Sequence, residues 1–283
     1  MTLIKNTLVY MILGLVQGFS EPIPISSSGH LVIFKAIFEN HLGIEFPSAA
    51  NDMAFDVLLH LASLLAIMFY YRYEIIDLIK SFFTFIFTKK GKKDRDTAAN
   101  FRFCIYLVIA TIPAAIGGVL FEDKIDVVFQ NVKLVGCALI VTSVFLMLLH
   151  IYGPKGKRTK KNMRLSDAII MGIFQLVALV PGISRSGSTM TGGMFSGLSQ
   201  KSSRDFSFFM FMPVALGSVV LKLDDFLASP LKTLWFPYLM AFITATITTY
   251  IALMLLFAVL KKRKMNYFSI YCFIMGLIAI FLI

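Results

Sequence analysis

Charge is scarce in this chain, and negative charge is scarcer still. Asp and Glu number 16 of 283 residues, against 27 Lys and Arg. Only 15% of residues are charged, 58% are hydrophobic, and the mean hydropathy is +0.79. So little polar surface excludes a water-soluble globular domain. Cysteine is nearly missing too. Cys104, Cys137 and Cys272 stand far apart in apolar segments, with no CxxC or metal-like spacing. That excludes a disulfide framework and a cysteine metal centre, and predicts three small core residues. The apolar run from Leu8 lacks a small-x-small cleavage site and continues into Gln17, Glu21 and two prolines. It is therefore read as a structural helix rather than a signal peptide.

What is present is apolar sequence in long runs. Several reach the roughly 20 residues that span a bilayer. The expected fold is all-α, a polytopic transmembrane helical bundle. Spans are predicted at 54–71, 101–120, 132–151, 206–222, 234–260 and 265–283. Short helices are predicted at 3–20, 29–38, 166–180 and 190–198, and an interfacial helix at 72–88. The net charge of +11 sits in loops, at Lys89 to Arg95, Lys155 to Arg164 and Lys261 to Lys264. Segregation to loops follows the positive-inside rule, and nucleic acid is not an expected partner.

Two stretches carry the rest of the argument. Gly14 to His30 and Gly172 to Thr189 share Gly14/Gly172, Gln17/Gln175, Ser26/Ser184, Ser28/Ser186 and Gly29/Gly187 at a constant separation of 158 positions. Each places a serine- and glycine-rich break inside apolar sequence. Irregular backbone at membrane depth is tolerated only where it is buried in protein or lines a watery cavity. A duplicated break points to a midplane binding site. If the basic loops are cytoplasmic, with Lys201/Arg204 inside and Asp224/Asp225 outside, hairpin 3–38 enters from outside and segment 166–198 from the cytoplasm. Both hairpins are then re-entrant. The chain reads as one integral membrane domain built from an inverted-topology repeat, 1–151 and 152–283, with an extracytoplasmic C-terminus. Gly14/Gly18 and Gly193/Gly197 are spaced to let the two hairpins pack together.

Pro22 and Pro24 stop the first helix, and Ser27 or Ser28 is placed to cap the next one near Gly29. Pro181-Gly182 and Ser184 repeat the device. Two helix N-termini facing one another favour an anion, and Arg185 adds a planar fork suited to phosphate oxygens. Glu21, a carboxylate in apolar sequence, needs Arg185 or a metal ion as partner. Gln17 shares its helix face. His30, beside the serines, is a candidate acid or base. His41, His60 and His150 lie near span ends and are read as interfacial, although Asp56 and His60 share a face that can approach the site.

These residues resemble the BacA-type undecaprenyl-pyrophosphate phosphatase family. Its first motif, (E/Q)xxxE followed by P-[IV]-S-S-[ST]-G-H, stands here as Gln17-Gly18-Phe19-Ser20-Glu21 and Pro24-Ile25-Ser26-Ser27-Ser28-Gly29-His30. Its second, PGxSRSxxT, stands as Pro181 to Thr189, and Phe55 to Ser63 is similar as well. Gln17 replaces a frequent glutamate, which weakens any mechanism that needs two carboxylates on that helix. The resemblance covers essentially the whole chain. It implies a bacterial plasma-membrane enzyme with an extracytoplasmic active site. The enzyme would hydrolyse undecaprenyl diphosphate to undecaprenyl phosphate and inorganic phosphate, recycling the cell-wall carrier lipid and lowering bacitracin sensitivity. It also implies a divalent cation, Mg²⁺ or Ca²⁺.

The expected roles follow from the resemblance and the residues together. Ser27 attacks phosphorus and His30 takes its proton. Arg185 and the helix N-termini stabilise the equatorial oxygens. Gln17, Ser26, Ser28, Ser184, Ser186 and Thr189 bind the diphosphate, and Glu21 holds the metal ion or a water. Direct attack by water and attack by His30 both stay open. So does a transporter or flippase of the polyprenyl phosphate carrier, because inverted repeats with broken helices are a transport architecture. The expected partners are the lipid substrate, membrane lipids and a second copy of the chain in a homodimer.

Overall fold

The computed structural model describes residues 3–44, 46, 49–129, 131–153, 156–222, 231–261 and 265–283. No strand forms among them; one isolated bridge joins Arg158 to Leu198. The helices are α1 (Leu3–Ser20), α2 (Ser27–Leu42), α3 (Ala49–Tyr70), α4 (Arg72–Phe87), α5 (Lys89–Lys93), α6 (Arg95–Leu120) and α7 (Glu122–Phe129). They continue with α8 (Val132–Tyr152), α9 (Leu165–Val177), α10 (Arg185–Phe195), α11 (Gln200–Leu221), α12 (Leu231–Lys261) and α13 (Asn266–Phe281). Asp224, Asp225 and most of the 261–264 basic cluster lie outside the described residues, as does Lys155.

Among the described residues five helices are long and apolar enough to cross a membrane: α1, α6, α8, α11 and the Leu234–Ala258 part of α12. The Phe55–Tyr70 part of α3 passes the same test jointly with α4, bent from it by 77°. The bend falls at Tyr71, a residue of the α3–α4 junction that is itself buried against Phe209 and Phe257. Outward faces carry large exposed side chains such as Ile4, Phe69, Val108 and Phe273. In lipid these faces cost nothing, so helix association rests on close packing and on hydrogen bonds rather than on exclusion of water.

Glycine permits that packing in a regular way. Gly14 and Gly18 of α1 lie against the backbone of Ala241 and Ala245 on α12. Gly172 of α9 lies against Ala110 of α6, where an added Cβ would sit 2.7 Å from the carbonyl oxygen. Gly136 of α8 and Gly276 of α13 face each other. Gly14 and Gly18 thus join α1 to a neighbouring helix, not one hairpin to the other as their spacing suggested. Gly197 is no packing residue either: its φ of +97° makes the turn after α10. Spacing reveals a small-residue face but not which helix fills it. The cysteines are not all core residues. Cys272 is buried, but Cys137 is exposed on the outer face of α8.

A polar clamp ties the second hairpin together. Arg158 donates to Asp167 at the start of α9 with both guanidinium arms, at 2.6 and 2.7 Å, and also to the Ser196 carbonyl at the end of α10. Asp167 is buried and also accepts from the Arg164 backbone N–H, closing a capping box on α9.

Candidate active site

The two serine motifs meet at the centre of the bundle. Each begins where a proline-containing turn ends one helix and a serine caps the next. Ser26, not Ser27 or Ser28, caps α2: its Oγ accepts from Gly29 N–H, and the helix starts two residues earlier than expected. Ser184 caps α10 in the same way, accepting from Gly187 N–H at 3.1 Å. The turns touch. A Cβ on Gly29 would lie 2.9 Å from the Cα of Gly182. The amino ends of α2 and α10, with their unpaired N–H groups and positive dipole ends, therefore converge.

Glu21 is the hub. It is buried in the turn after α1, and its backbone N–H bonds to Gln17. Its Oε1 accepts from Arg185 Nη2 at 2.5 Å. Its Oε2 accepts from Ser27 Oγ at 2.5 Å and from Gln17 Nε2 at 3.0 Å. Arg185 also lies over the Phe211 ring, 4.2 Å from its centre, and donates to the Ser207 carbonyl. Thr189 bonds back to the Arg185 carbonyl at 2.8 Å and to Ser207 Oγ at 2.6 Å, which fixes the turn that carries the arginine. The two repeats bring different chemistry. At the constant 158-residue separation, Glu21 corresponds to Leu179, Ser27 to Arg185 and His30 to Ser188. Gln175, the counterpart of Gln17, has no carboxylate to bond, and its buried amide has no hydrogen-bond partner among the described residues.

The expected Ser27–His30 pair does not form. The His30 ring contacts the Ser26 carbonyl through Nδ1 at 2.7 Å and the Tyr271 hydroxyl through Nε2 at 2.8 Å. It does not line the cavity into which Ser27 opens. Ser27 is hydrogen-bonded to Glu21 instead, so the carboxylate is the group in reach of its proton. His60, read from the sequence as interfacial but on a face with Asp56 that can approach the site, is in the site. It lines the cavity, its Nδ1 bonds to the Asp56 carbonyl at 2.7 Å, and its Nε2 lies 3.7 Å from Glu21 Oε2.

The cavity has a volume of about 440 Å³. Its polar wall groups are gathered around Glu21, Ser26–Ser28, Asp56, His60 and Ser184–Ser186. The rest of the wall is mostly apolar, with residues such as Val119, Leu179, Ile183, Val214 and Leu221, and carries Ser218 and Lys222 as well. Gln17 and Thr189 do not reach its wall; they hold Glu21 and Arg185 from behind. Among the described residues no three His, Cys, Asp or Glu side chains cluster as a metal cage. Glu21 and Asp56 are the carboxylates on the wall, and Asp56 is paired with Lys35 at 2.9 Å. That donor set suits a hard cation which takes one carboxylate from the protein and the rest of its oxygens from phosphate and water.

Fold and site together define a polytopic helical membrane protein with a serine–carboxylate–arginine cluster buried at the meeting of two broken helices. The chain belongs to the bacitracin resistance protein BacA family, whose profile matches residues 10–278. It is similar to undecaprenyl-diphosphatase 3 of Bacillus anthracis, 43% identical over 274 residues and 96% of each chain. It is also similar to the undecaprenyl-diphosphatase of Oceanobacillus iheyensis, 40% identical over 277 residues and 96% of each chain. Undecaprenyl-diphosphatase 1 of Bacillus licheniformis is 41% identical over 272 residues, 95% of each chain.

Proposed function

We infer that this protein is a membrane phosphatase that hydrolyses undecaprenyl diphosphate to undecaprenyl phosphate and inorganic phosphate. It thereby recycles the cell-wall carrier lipid and lowers sensitivity to bacitracin. The single observation that carries the reading is the Ser27–Glu21–Arg185 cluster, set in the wall of a cavity whose remaining lining is mostly apolar. A diphosphate head and a prenyl tail have the same polarity division.

Ser27 Oγ attacks the terminal phosphorus and its proton passes to Glu21 Oε2. The bond from that phosphorus to the bridging oxygen breaks, and undecaprenyl phosphate leaves with the electron pair. Water then attacks the phosphoserine phosphorus as its bond to Ser27 Oγ breaks; Glu21 returns its proton to that oxygen, and the water's protons leave with inorganic phosphate. Arg185 and the amino ends of α2 and α10 hold the equatorial oxygens, the main electrostatic task in phosphoryl transfer. Ser26, Ser28, Ser184 and Ser186 line the same wall and orient the diphosphate. Glu21 and the phosphate oxygens would hold Mg²⁺ or Ca²⁺, which when bound neutralises charge on the diphosphate.

We further propose that the site faces the extracytoplasmic side and that the two hairpins are re-entrant. Cavity-wall residues Gly118, Val119, Leu221 and Lys222 lie at the far ends of α6 and α11 from the basic segments 89–95 and 156–164. The positive-inside rule then supports an opening on the outside. The inverted repeat, 1–151 and 152–283, is supported by reciprocal packing: α1 on α12 mirrors α9 on α6, and α3 on α12 mirrors α11 on α6. That architecture also suits carrier-lipid transport. A hydroxyl hydrogen-bonded to a carboxylate beside a guanidinium serves bond cleavage, and translocation needs none of it. The homodimer is part of the proposal and is tested by the mass of the detergent-solubilised protein, two 31.7 kDa chains against one.

Hydrolysis in ¹⁸O-water tests the reaction. Heavy oxygen is expected in released inorganic phosphate and not in undecaprenyl phosphate. Heavy oxygen in the lipid product would overturn attack at the terminal phosphorus. No phosphate release by folded protein would bring the transporter forward.

A further inference from the structure

We propose that Tyr271, on α13, is a positioning residue for the Ser26–Ser27 turn and acts through His30. Ser26 has φ of 72°, the only positive φ outside glycine among the described residues. An L-residue with a side chain adopts that conformation at a cost of roughly 1–2 kcal/mol, so something must hold it. The local holders are long. Ser26 Oγ meets Gly29 N–H at 3.3 Å, and the Ser26 carbonyl meets His30 N–H at 3.2 Å. The close grip is the His30 ring, whose Nδ1 is 2.7 Å from the same carbonyl.

That grip fixes the proton. A carbonyl oxygen only accepts, so Nδ1 carries the hydrogen and Nε2 presents a lone pair. The Tyr271 hydroxyl supplies the matching donor at 2.8 Å, and the two rings lie nearly parallel, 8° apart in plane. Without this donor the buried imidazole has two unfavourable choices. It leaves Nε2 unsatisfied, or it moves its proton to Nε2 and turns a lone pair onto the Ser26 carbonyl. The Ser26 carbonyl belongs to the same planar peptide as the Ser27 N–H. Rotating it swings Ser27 away from Glu21, which it meets at 2.5 Å.

The neighbouring residue shows the same support. Cys272 Sγ points at the Ile25 carbonyl at 3.9 Å, so α13 touches the Ile25 peptide directly and the Ser26 peptide through His30. The second serine motif is held in an equivalent manner from α8. There Thr142 Oγ1 donates to the Gly182 carbonyl and accepts from Ser184 N–H, both at 2.8 Å. Helices α8 and α13 pack along each other, so one helix pair braces both motifs from behind.

Tyr271→Phe keeps the ring and deletes one hydroxyl. The kinetic arm rests on the phosphatase reading above. With undecaprenyl diphosphate, kcat is expected to fall roughly tenfold, the scale of one buried hydrogen bond. KM should stay within about twofold, because the substrate is not touched. In a His30→Ala background Tyr271→Phe should cost nothing more. The second arm does not depend on activity. In protein labelled with ¹⁵N-histidine, His30 should show the Nδ1–H tautomer, and Tyr271→Phe should shift it toward Nε2–H. His30→Gln identifies the signal. Wild-type kcat in Tyr271→Phe, an undiminished loss in the His30→Ala background, or an unchanged His30 signal would each overturn the proposal. A wild type that releases no phosphate yet shows the expected His30 tautomer would instead overturn the phosphatase reading.

Discussion

Replacing Glu21 by glutamine changes one atom and tests two consequences of the same geometry. The amide can still accept from Ser27, but it carries no charge and is a very weak base. Arg185 then loses its counterion inside the bundle, where its side chain is 15% exposed and that of Glu21 is 5% exposed. Breaking a buried pair by removing one partner costs about 3–5 kcal/mol, since the other charge stays desolvated. General-base assistance is worth about 10²–10⁴ in rate. Glu21→Gln should therefore unfold at a lower temperature in detergent and release phosphate at least about 100-fold more slowly. A second substitution separates the two effects. Adding Arg185→Met removes the stranded charge and should restore much of the stability, but none of the activity. Folded Glu21→Gln that keeps more than about a tenth of wild-type kcat would refute the assignment of Glu21 as proton acceptor.

Other consequences are open to simple assays. Ser27→Ala should cost about a thousandfold in kcat, equivalent to about 4 kcal/mol, measured by phosphate release; near-normal turnover would hand the attack to water. Gly14→Leu must push α1 off the Ala241 backbone and should lower stability by about 1–3 kcal/mol in detergent unfolding. Gly217→Ala, where an added Cβ meets nothing within 4 Å, should be neutral or stabilising. Asp167→Ala strips Arg158 of both charged hydrogen bonds and should cost about 2 kcal/mol, read by the same unfolding assay.

Much of the fold was legible because membrane helices advertise themselves by length and composition. The first helix runs from residue 3 to 20 as expected, and α8, α9 and α12 begin within three residues of the expected starts. The breaks at Pro22–Pro24 and Pro181–Gly182 were legible because proline and glycine act locally. That Glu21 needs Arg185 or a metal ion as partner followed from the cost of a lone charge in apolar surroundings, and Arg185 is in place. What escaped the sequence depends on which helix lies next to which. Tyr271 is 241 residues from His30, and Thr142 is 40 from Gly182, so no local pattern joins them. His60 looked interfacial because it stands near a span end, and only its shared face with Asp56 hinted at the site. It enters the cavity because α3 is packed against α11 and α12, beside the motif turns. The Ser27–His30 pair looked natural at a spacing of three residues, yet α2 begins at Ser27 and His30 points away from the cavity.

The most direct test of the central claim is phosphate release from undecaprenyl diphosphate by detergent-purified protein. Wild type and Arg185→Ala would be compared with and without Mg²⁺ or Ca²⁺. Cation-dependent release by wild type and its loss in Arg185→Ala are expected. Folded wild type that releases no phosphate under any of these conditions, or Arg185→Ala that releases it as fast as wild type, would contradict that claim.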